Sequence, residues 1–200
     1  MLLLNKIYSS MATRLSGTIM TIAFNVLLFL LIALASSGNV AKVFSEEGAS
    51  AYLNKVSPTS YLQILTSKFM LNFMLMTASI ISTAIIVTNF INLTVTNSIL
   101  FFIMIESLYI AHLVQSAELD IMNPQNQEYA TTGNHVNNKN VLKSNLLGLI
   151  ISAIFAFLTY FFISETQATG WPKLPLVAVC YMAFRLYLYI SKIKVYYKEK

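Results

Sequence analysis

Residues 17–36 read GTIMTIAFNVLLFLLIALAS, a stretch of 20 residues with no charged side chain. An α-helix of this length crosses the roughly 30 Å hydrocarbon core of a bilayer. Comparable apolar runs follow at residues 69–91, 97–115, 145–163 and 174–191. Because lipid offers the backbone no hydrogen-bond partners, and because the runs are continuous, each predicts a transmembrane α-helix. The sequence therefore predicts an all-α polytopic membrane helix bundle with about five transmembrane helices, forming a single membrane domain over residues 1–200.

Composition and charge agree with a membrane protein and exclude other classes. Of the 200 residues, 56% are hydrophobic and 10% are charged, which is too apolar for an ordinary soluble domain. The net charge of +5 does not indicate nucleic-acid binding, because the basic residues flank the apolar runs. The single cysteine, Cys180, lies within the fifth run and can form no internal disulfide. We therefore expect contact with membrane lipid and not with nucleic acid.

The distribution of basic residues predicts the orientation, since lysine and arginine favour the cytoplasmic side. If the amino end is outside, three basic residues lie outside and ten lie inside, namely Lys42, Lys55, Lys68, Lys139, Lys143, Arg185, Lys192, Lys194, Lys198 and Lys200. Lys6 and Arg14 argue locally for the reverse, but the total favours an outside amino end and a cytoplasmic carboxyl end. The chain is then a multi-pass cell-membrane protein with cytoplasmic loops at residues 38–68 and 116–143. Residues 164–173 are expected to be a short outer stretch, in which Trp171 and Pro172 suit the headgroup boundary.

The first cytoplasmic loop carries local helix signals. Ser45 can cap a helix whose first turn contains Glu46 and Glu47, where the positive end of the helix dipole favours acidic side chains. Pro58 disfavours a helical residue before it, so we predict a short helix over residues 45–56. A second helix should begin just after Pro58 and continue unbroken to Ile91. It would be about 50 Å long and would project beyond the hydrocarbon core.

The same loop, FSEEGASAYLNKVSPTSYLQILTSKF from residue 44, also carries a family resemblance. It resembles, without a gap, a loop of permeases of the ABC-2 exporter type. In that family an F-S-x-E-G start is followed by an aromatic residue, a lysine, a proline and a second lysine. The corresponding positions here are Phe44, Ser45, Glu47, Gly48, Tyr52, Lys55, Pro58 and Lys68. One departure is Glu46, where the family usually has arginine.

The second cytoplasmic loop is similar to the same family at fewer positions. The stretches AELDIMNPQ and NVLKSN match the family's Asp, Pro and Lys-x-Asn arrangement at Asp120, Pro124, Lys143 and Asn145. The asparagine-rich residues between these stretches favour turns rather than chemistry. The resemblance covers the chain from about residue 43 to about residue 148 and does not indicate a substrate.

The resemblance implies a permease subunit of an ATP-driven exporter, or the carboxyl-terminal portion of a longer permease. Residues 45–56 would be a cytoplasmic coupling helix that docks on a partner ABC ATPase. The residues implied in coupling are Ser45, Glu47, Gly48, Tyr52, Lys55, Pro58, Lys68, Asp120, Pro124 and Lys143. Further permease helices or a second permease copy are expected as partners, because five spans with an outside amino end suggest an incomplete transporter.

ATP and Mg²⁺ are expected on the partner ATPase, and this chain is expected to carry no cofactor, no metal and no catalytic residue. The sequence contains no G-x-x-x-x-G-K-[ST] phosphate-binding loop, so ATP hydrolysis should occur on another chain. An alternative function is a small membrane accessory, substrate-capture or immunity protein that uses its loops only for docking. A third interpretation, a membrane hydrolase centred on Glu106 and His112, lacks any nucleophile or metal motif.

Polar residues within the spans give one candidate intramembrane site. Glu106 lies near the middle of the third span, where an ionised carboxylate is costly unless it is paired, hydrated or neutralised. It could belong to a substrate or proton path, or it could be a hydrogen-bonded packing residue. Arg185 is a possible partner, although it could instead extend toward the inner membrane boundary. Gly148, Ser152 and Ala156 recur every four residues, which predicts close helix packing.

Overall fold

The structure, a computed structural model, describes residues 15–53, 60–90, 93–132, 137–165 and 167–198. Within these ranges the chain is helical with short turns and contains no strand. Two 3₁₀ segments, Ser36–Lys42 and Ser45–Tyr52, follow the first helix. The α-helices in the described ranges are α1 Leu15–Ala35, α2 Tyr61–Phe90, α3 Val95–Met122, α4 Asn126–Thr132, α5 Lys139–Glu165 and α6 Gln167–Lys198.

The long helices confirm the predicted all-α membrane bundle. Five helices of the described chain are long and apolar enough to cross a membrane, and each overlaps one of the five predicted apolar runs. α2 is one continuous helix of 30 residues, about 45 Å long, as the sequence predicted. α3 continues to Met122 and α5 begins at Lys139, so the second predicted loop is largely helical.

α3 lies at the centre of the bundle and α2 lies at its edge. The apolar window of α3 is 56% buried within the protein, whereas that of α2 is only 11% buried. α3 packs most extensively on α6, and α1 packs most extensively on α5. The rings of Phe29 on α1 and Phe101 on α3 meet edge to face, with their centroids 5.7 Å apart. The core therefore forms around α3, and α2 is attached mainly through it.

The predicted close packing at Gly148 is confirmed. A side-chain carbon at this position would lie 3.1 Å from His112 Nε2 and 3.2 Å from Leu34 Cβ. Ser152, one turn later on α5, is buried, and its hydroxyl donates to the Gly148 carbonyl at 2.7 Å. The small residues of α5 thus let this helix approach α1 and α3 closely.

The connection between α5 and α6 is shorter than the stretch of residues 164–173 that the sequence predicted. α5 ends at Glu165 and α6 begins at Gln167, so most of the predicted stretch is helical. Trp171 is buried within the protein. The physical reason is Gly170, where an added Cβ would lie only 2.3 Å from the Phe162 carbonyl oxygen. Without a side chain there, the two backbones touch and Trp171 packs into the protein.

Candidate functional site at the charged end of the bundle

Most of the described charged side chains gather at one end of the bundle, here called the charged end. It comprises residues 36–53, the start of α2, residues 116–132, residues 137–143 and residues 185–193. The two 3₁₀ segments, the carboxyl ends of α3 and α6, and the amino ends of α2 and α5 meet there. The described parts of the two predicted loops, residues 38–68 and 116–143, therefore lie together. The opposite end carries the ion pair of Glu165 and Lys173, whose charged atoms are 3.8 Å apart.

Asp120 is the centre of a buried junction between the two loops. Its carboxyl group accepts hydrogen bonds from the backbone N–H groups of Phe44 at 2.8 Å and Ser45 at 3.0 Å. It also accepts from the Ser45 hydroxyl and, at 3.3 Å, from the Asn140 amide. One fully buried side chain on α3 thus holds the second 3₁₀ segment and the start of α5. Ser45 and Asp120 were predicted as separate site residues from the sequence, and in the structure they are hydrogen-bonded to each other.

Ser45 does not cap a helix as predicted. Its hydroxyl donates to Asp120, and its oxygen accepts from the Gln125 N–H at 2.9 Å. The segment that follows makes no side-chain cap hydrogen bond at its start. A carboxyl oxygen is a strong acceptor in a buried site, so the hydroxyl turns toward Asp120.

Gly48 interrupts the predicted coupling helix. The described part, Ser45–Tyr52, consists of short 3₁₀ turns on either side of Gly48, which has φ 53° and ψ −125°. Side chains other than hydrogen strongly disfavour such a positive φ, so a continuous helix over residues 45–56 is not formed. A Cβ at Gly48 would also lie 3.3 Å from the Ala130 backbone nitrogen. The segment therefore bends at Gly48 and packs against α4.

Some predicted coupling residues lie outside the residues that the structure describes. Lys55 and Pro58 fall in residues 54–59, which are outside the described residues, and only the backbone of Tyr52 is described. Pro124 is exposed between α3 and α4, and Lys143 is exposed on the first turns of α5. These two residues lie at the charged end but outside the Asp120 junction.

Ion pairs connect the second 3₁₀ segment to its neighbours. Glu47 accepts a hydrogen bond from Lys68 at the start of α2. The same lysine nitrogen lies 4.9 Å from the centre of the Phe44 ring, a cation–π contact. Glu46, the position that departs from the family pattern, pairs with Lys42 at 2.6 Å. Both acidic side chains of the predicted docking segment are thus paired within the chain.

The asparagine-rich stretch contributes to the junction, which the sequence interpretation missed. The Asn140 amide donates to Asp120 and, at 2.8 Å, to the Asn123 carbonyl. The Asn138 side chain accepts from the Asn140 N–H at 2.7 Å and contacts the Tyr129 hydroxyl at 3.4 Å. The position of Asn138 directly before an apolar run could have indicated this role. An asparagine there often accepts a hydrogen bond from a backbone N–H in the first turn of a helix.

A polar cavity of about 420 Å³ lies beside this junction. Amide side chains, Lys42 and the Tyr129 hydroxyl form its polar wall, and Val141 and Leu142 form its apolar wall. Its lining residues are Asn39, Lys42, Tyr129, Asn137, Asn138, Val141, Leu142 and Asn145. Such a wall can hold a polar side chain or backbone segment of another molecule.

Arg185 pairs with Glu118 rather than with Glu106. The Arg185 guanidinium donates to Glu118 at 2.7 Å, and Lys192 donates to the other carboxyl oxygen. Glu118 was not among the predicted site residues. The sequence of α6 could have indicated that an acidic partner exists, because Arg185 and Lys192 are seven residues apart and therefore lie on one helical face.

Glu106 and His112 face different helices. Glu106 accepts a hydrogen bond from Thr77 on α2 at 2.8 Å. His112 is buried against α5, with its Nε2 3.5 Å from the Ser144 hydroxyl. The two side chains do not converge on a common site.

The described ranges contain no cluster of three His, Cys, Asp or Glu side chains that could hold a metal ion. At the charged end, hydrogen bonds and ion pairs fix the segment Ser45–Tyr52 to several helices. No protein family, curated protein or solved structure matches this chain.

Proposed function

We propose that this chain is a permease subunit, or part of one, of an ATP-binding-cassette exporter. In this proposal the charged end faces the cytoplasm of the cell membrane. A separate ABC ATPase, which carries ATP and Mg²⁺, docks on the segment Ser45–Tyr52. The segment then passes the movement of the ATPase to the membrane helices, and the chain itself hydrolyses no ATP.

The observation that supports this proposal is the attachment of the segment. Asp120 ties its start to α3, Gly48 packs it on α4, and Glu47 joins it to α2. A loop without these bonds would absorb a push, because each residue could rotate independently. A segment with three attachments can instead move α2 and α3 together. This is the mechanical property that a coupling element requires.

The resemblance to ABC-2 permeases supports the same function independently. Its positions at Ser45, Glu47, Gly48 and Asp120 are those that make the attachments just described. Family resemblance and physical role therefore coincide at these residues. In the proposed complex, Tyr52 supplies buried aromatic contact, since aromatic residues carry much of the binding energy at protein interfaces.

The experiment is co-purification of the full chain with ABC ATPases from the same organism, followed by measurement of ATP hydrolysis. The Gly48→Ala variant should deform the segment, and Tyr52→Ala should remove the aromatic anchor. We expect both variants to reduce ATPase retention by at least tenfold, which corresponds to about 1.4 kcal/mol of binding free energy. The stimulation of ATP hydrolysis should also fall by at least tenfold. Ser164→Ala, at the opposite end of the bundle, is the matched control and should change neither value.

The alternative is an accessory or immunity protein that docks without transport. It predicts retention of a partner but no effect of the chain on ATP hydrolysis and no substrate movement in liposomes containing both chains. If no ABC ATPase is retained, or if both variants bind and stimulate as the unaltered chain does, the coupling proposal is wrong.

A further inference from the structure

A second charged cluster at the charged end lies between α3 and α6. Glu118 on α3 accepts hydrogen bonds from Arg185 and Lys192 on α6. Two cations thus share one carboxylate, which leaves one positive charge in excess. None of the attachments of the segment Ser45–Tyr52 uses these three residues.

The excess charge is on the open side of the cluster. The Glu118 and Arg185 side chains are only 11% and 13% exposed, whereas Lys192 is 45% exposed. The Arg185 Nε–H is buried and has no hydrogen-bond partner among the described residues. The cluster therefore has a buried donor without an acceptor and an accessible ammonium group. The accessible ammonium group and the excess positive charge favour an additional anionic group at Lys192.

The position of the cluster along α6 identifies the kind of anion. Phe184, Tyr187 and Ile190 are exposed apolar side chains on the same turns of α6 as Arg185, so the outer surface of α6 is apolar to this depth. Beyond Ile190 the sequence becomes basic, with Lys192, Lys194 and Lys198. Lys192 thus lies where the apolar surface ends, which is the depth of lipid headgroups in a membrane helix. Basic sites between helices at this depth suit anionic lipid headgroups.

We propose that Glu118, Arg185 and Lys192 form a binding site for the phosphate group of an anionic membrane lipid. The phosphate contacts the exposed ammonium group of Lys192, while an acyl chain lies along the apolar surface that includes Phe184. Glu118 neutralises one of the two cations and competes with the phosphate for Lys192. The site does not depend on the exporter proposal, because it uses neither the segment Ser45–Tyr52 nor a partner ATPase.

The test is the binding of fluorescent phosphatidylglycerol and phosphatidylcholine to the purified full chain in detergent. Phosphatidylglycerol should bind more tightly. Lys192→Gln should weaken its binding about fivefold, as expected for one lysine near a headgroup. Lys192 is half exposed, so this variant should fold. Glu118→Gln should have the opposite effect and tighten binding, because it removes the competing carboxylate.

Lys173→Gln is the control, since Lys173 is a comparably exposed lysine paired with Glu165 at the opposite end. It should bind phosphatidylglycerol as the unaltered chain does. Equal binding of both lipids, or equal effects of Lys192→Gln and Lys173→Gln, would overturn the proposal. Inorganic phosphate at the lipid concentration should not displace the lipid. If it does, the ligand is free phosphate, and the lipid assignment is wrong.

Discussion

The donors around the buried Asp120 come from two distant parts of the chain, residues 44–45 and residue 140. Two of these donors are backbone N–H groups, which cannot turn away. A buried N–H without an acceptor costs about 1–3 kcal/mol, so the geometry of this one side chain has a large effect on stability.

Asp120→Asn should therefore destabilise the protein by about 3 kcal/mol, since an amide can direct only one oxygen at the donors that two carboxyl oxygens now serve. Thermal unfolding of the purified chain in detergent measures the effect. Glu128→Gln, on the exposed first turn of α4, is the control and should change stability by less than about 0.5 kcal/mol. Equal unfolding temperatures for Asp120→Asn and Glu128→Gln would contradict the structural role of the junction.

In contrast to Asp120→Asn, a substitution of Glu106 by glutamine should not destabilise the protein. Its Oε1 accepts from Thr77, while its Oε2 is buried with no hydrogen-bond partner in the described chain. Glu106→Gln keeps an oxygen for Thr77 and removes the possibility of a buried charge. Folding should be retained, with an unfolding temperature equal to or above that of the unaltered chain.

The same Glu106→Gln variant also separates packing from transport. If Glu106 belongs to a path through the membrane, export by the complete transporter should fall while folding is unchanged. Unchanged export would make Glu106 a packing residue, and a protein that fails to fold would show that the carboxyl group itself is needed for structure.

Among the helices, α2 is held by a few specific contacts. Besides the Glu47 to Lys68 pair, Tyr109 on α3 stacks on Phe73 and donates to the Asn72 carbonyl at 3.1 Å. Because so little of α2 is buried, each contact accounts for a large share of its attachment. α2 is therefore the long helix most easily displaced from the bundle.

Exchanging the charges of Glu47 and Lys68 tests this attachment. Each single reversal, Glu47→Lys or Lys68→Glu, should destabilise the protein, and the double variant should recover about 1 kcal/mol through the restored pair. The same cycle at Glu165 and Lys173, whose side chains are 49% and 47% exposed, should give almost no coupling. Coupling as small at Glu47 and Lys68 as at this exposed pair would exclude a role in holding α2.

The helices could be predicted because bilayer thickness constrains the length of each apolar run. The charged end could be predicted only in part. Ser45, Gly48 and Asp120 were found through a family pattern, but no sequence rule shows that Ser45 turns toward Asp120 instead of capping a helix. Glu118 was missed because its partners are 67 and 74 residues away and meet it only after α3 packs on α6.

At the scale of the whole molecule, we expect the charged end and the opposite end of the bundle to face opposite sides of the membrane. The described parts of both predicted cytoplasmic loops lie there, while the turn between α5 and α6 lies at the opposite end. The positive-inside tendency gives the charged end to the cytoplasm. This orientation remains a prediction from charge, and it determines whether the segment Ser45–Tyr52 can reach an ATPase.

Cysteine labelling in intact cells tests the orientation. With Cys180 replaced by serine, Ser50→Cys should resist a membrane-impermeant thiol reagent until the cells are opened. Ser164→Cys should react in intact cells, and both serines are exposed in the structure. The reverse pattern would place the charged end outside and would remove the basis for a cytoplasmic coupling segment.

Gly170 bears on how the chain enters the bilayer during synthesis. The backbones of α5 and α6 touch at this glycine, and only residue 166 separates the two helices. As α6 leaves the ribosome, no linker is long enough to hold it far from α5. The two helices should therefore enter the lipid together as one hairpin, and a bulky side chain at position 170 would hinder membrane insertion itself as well as the stability of the finished protein.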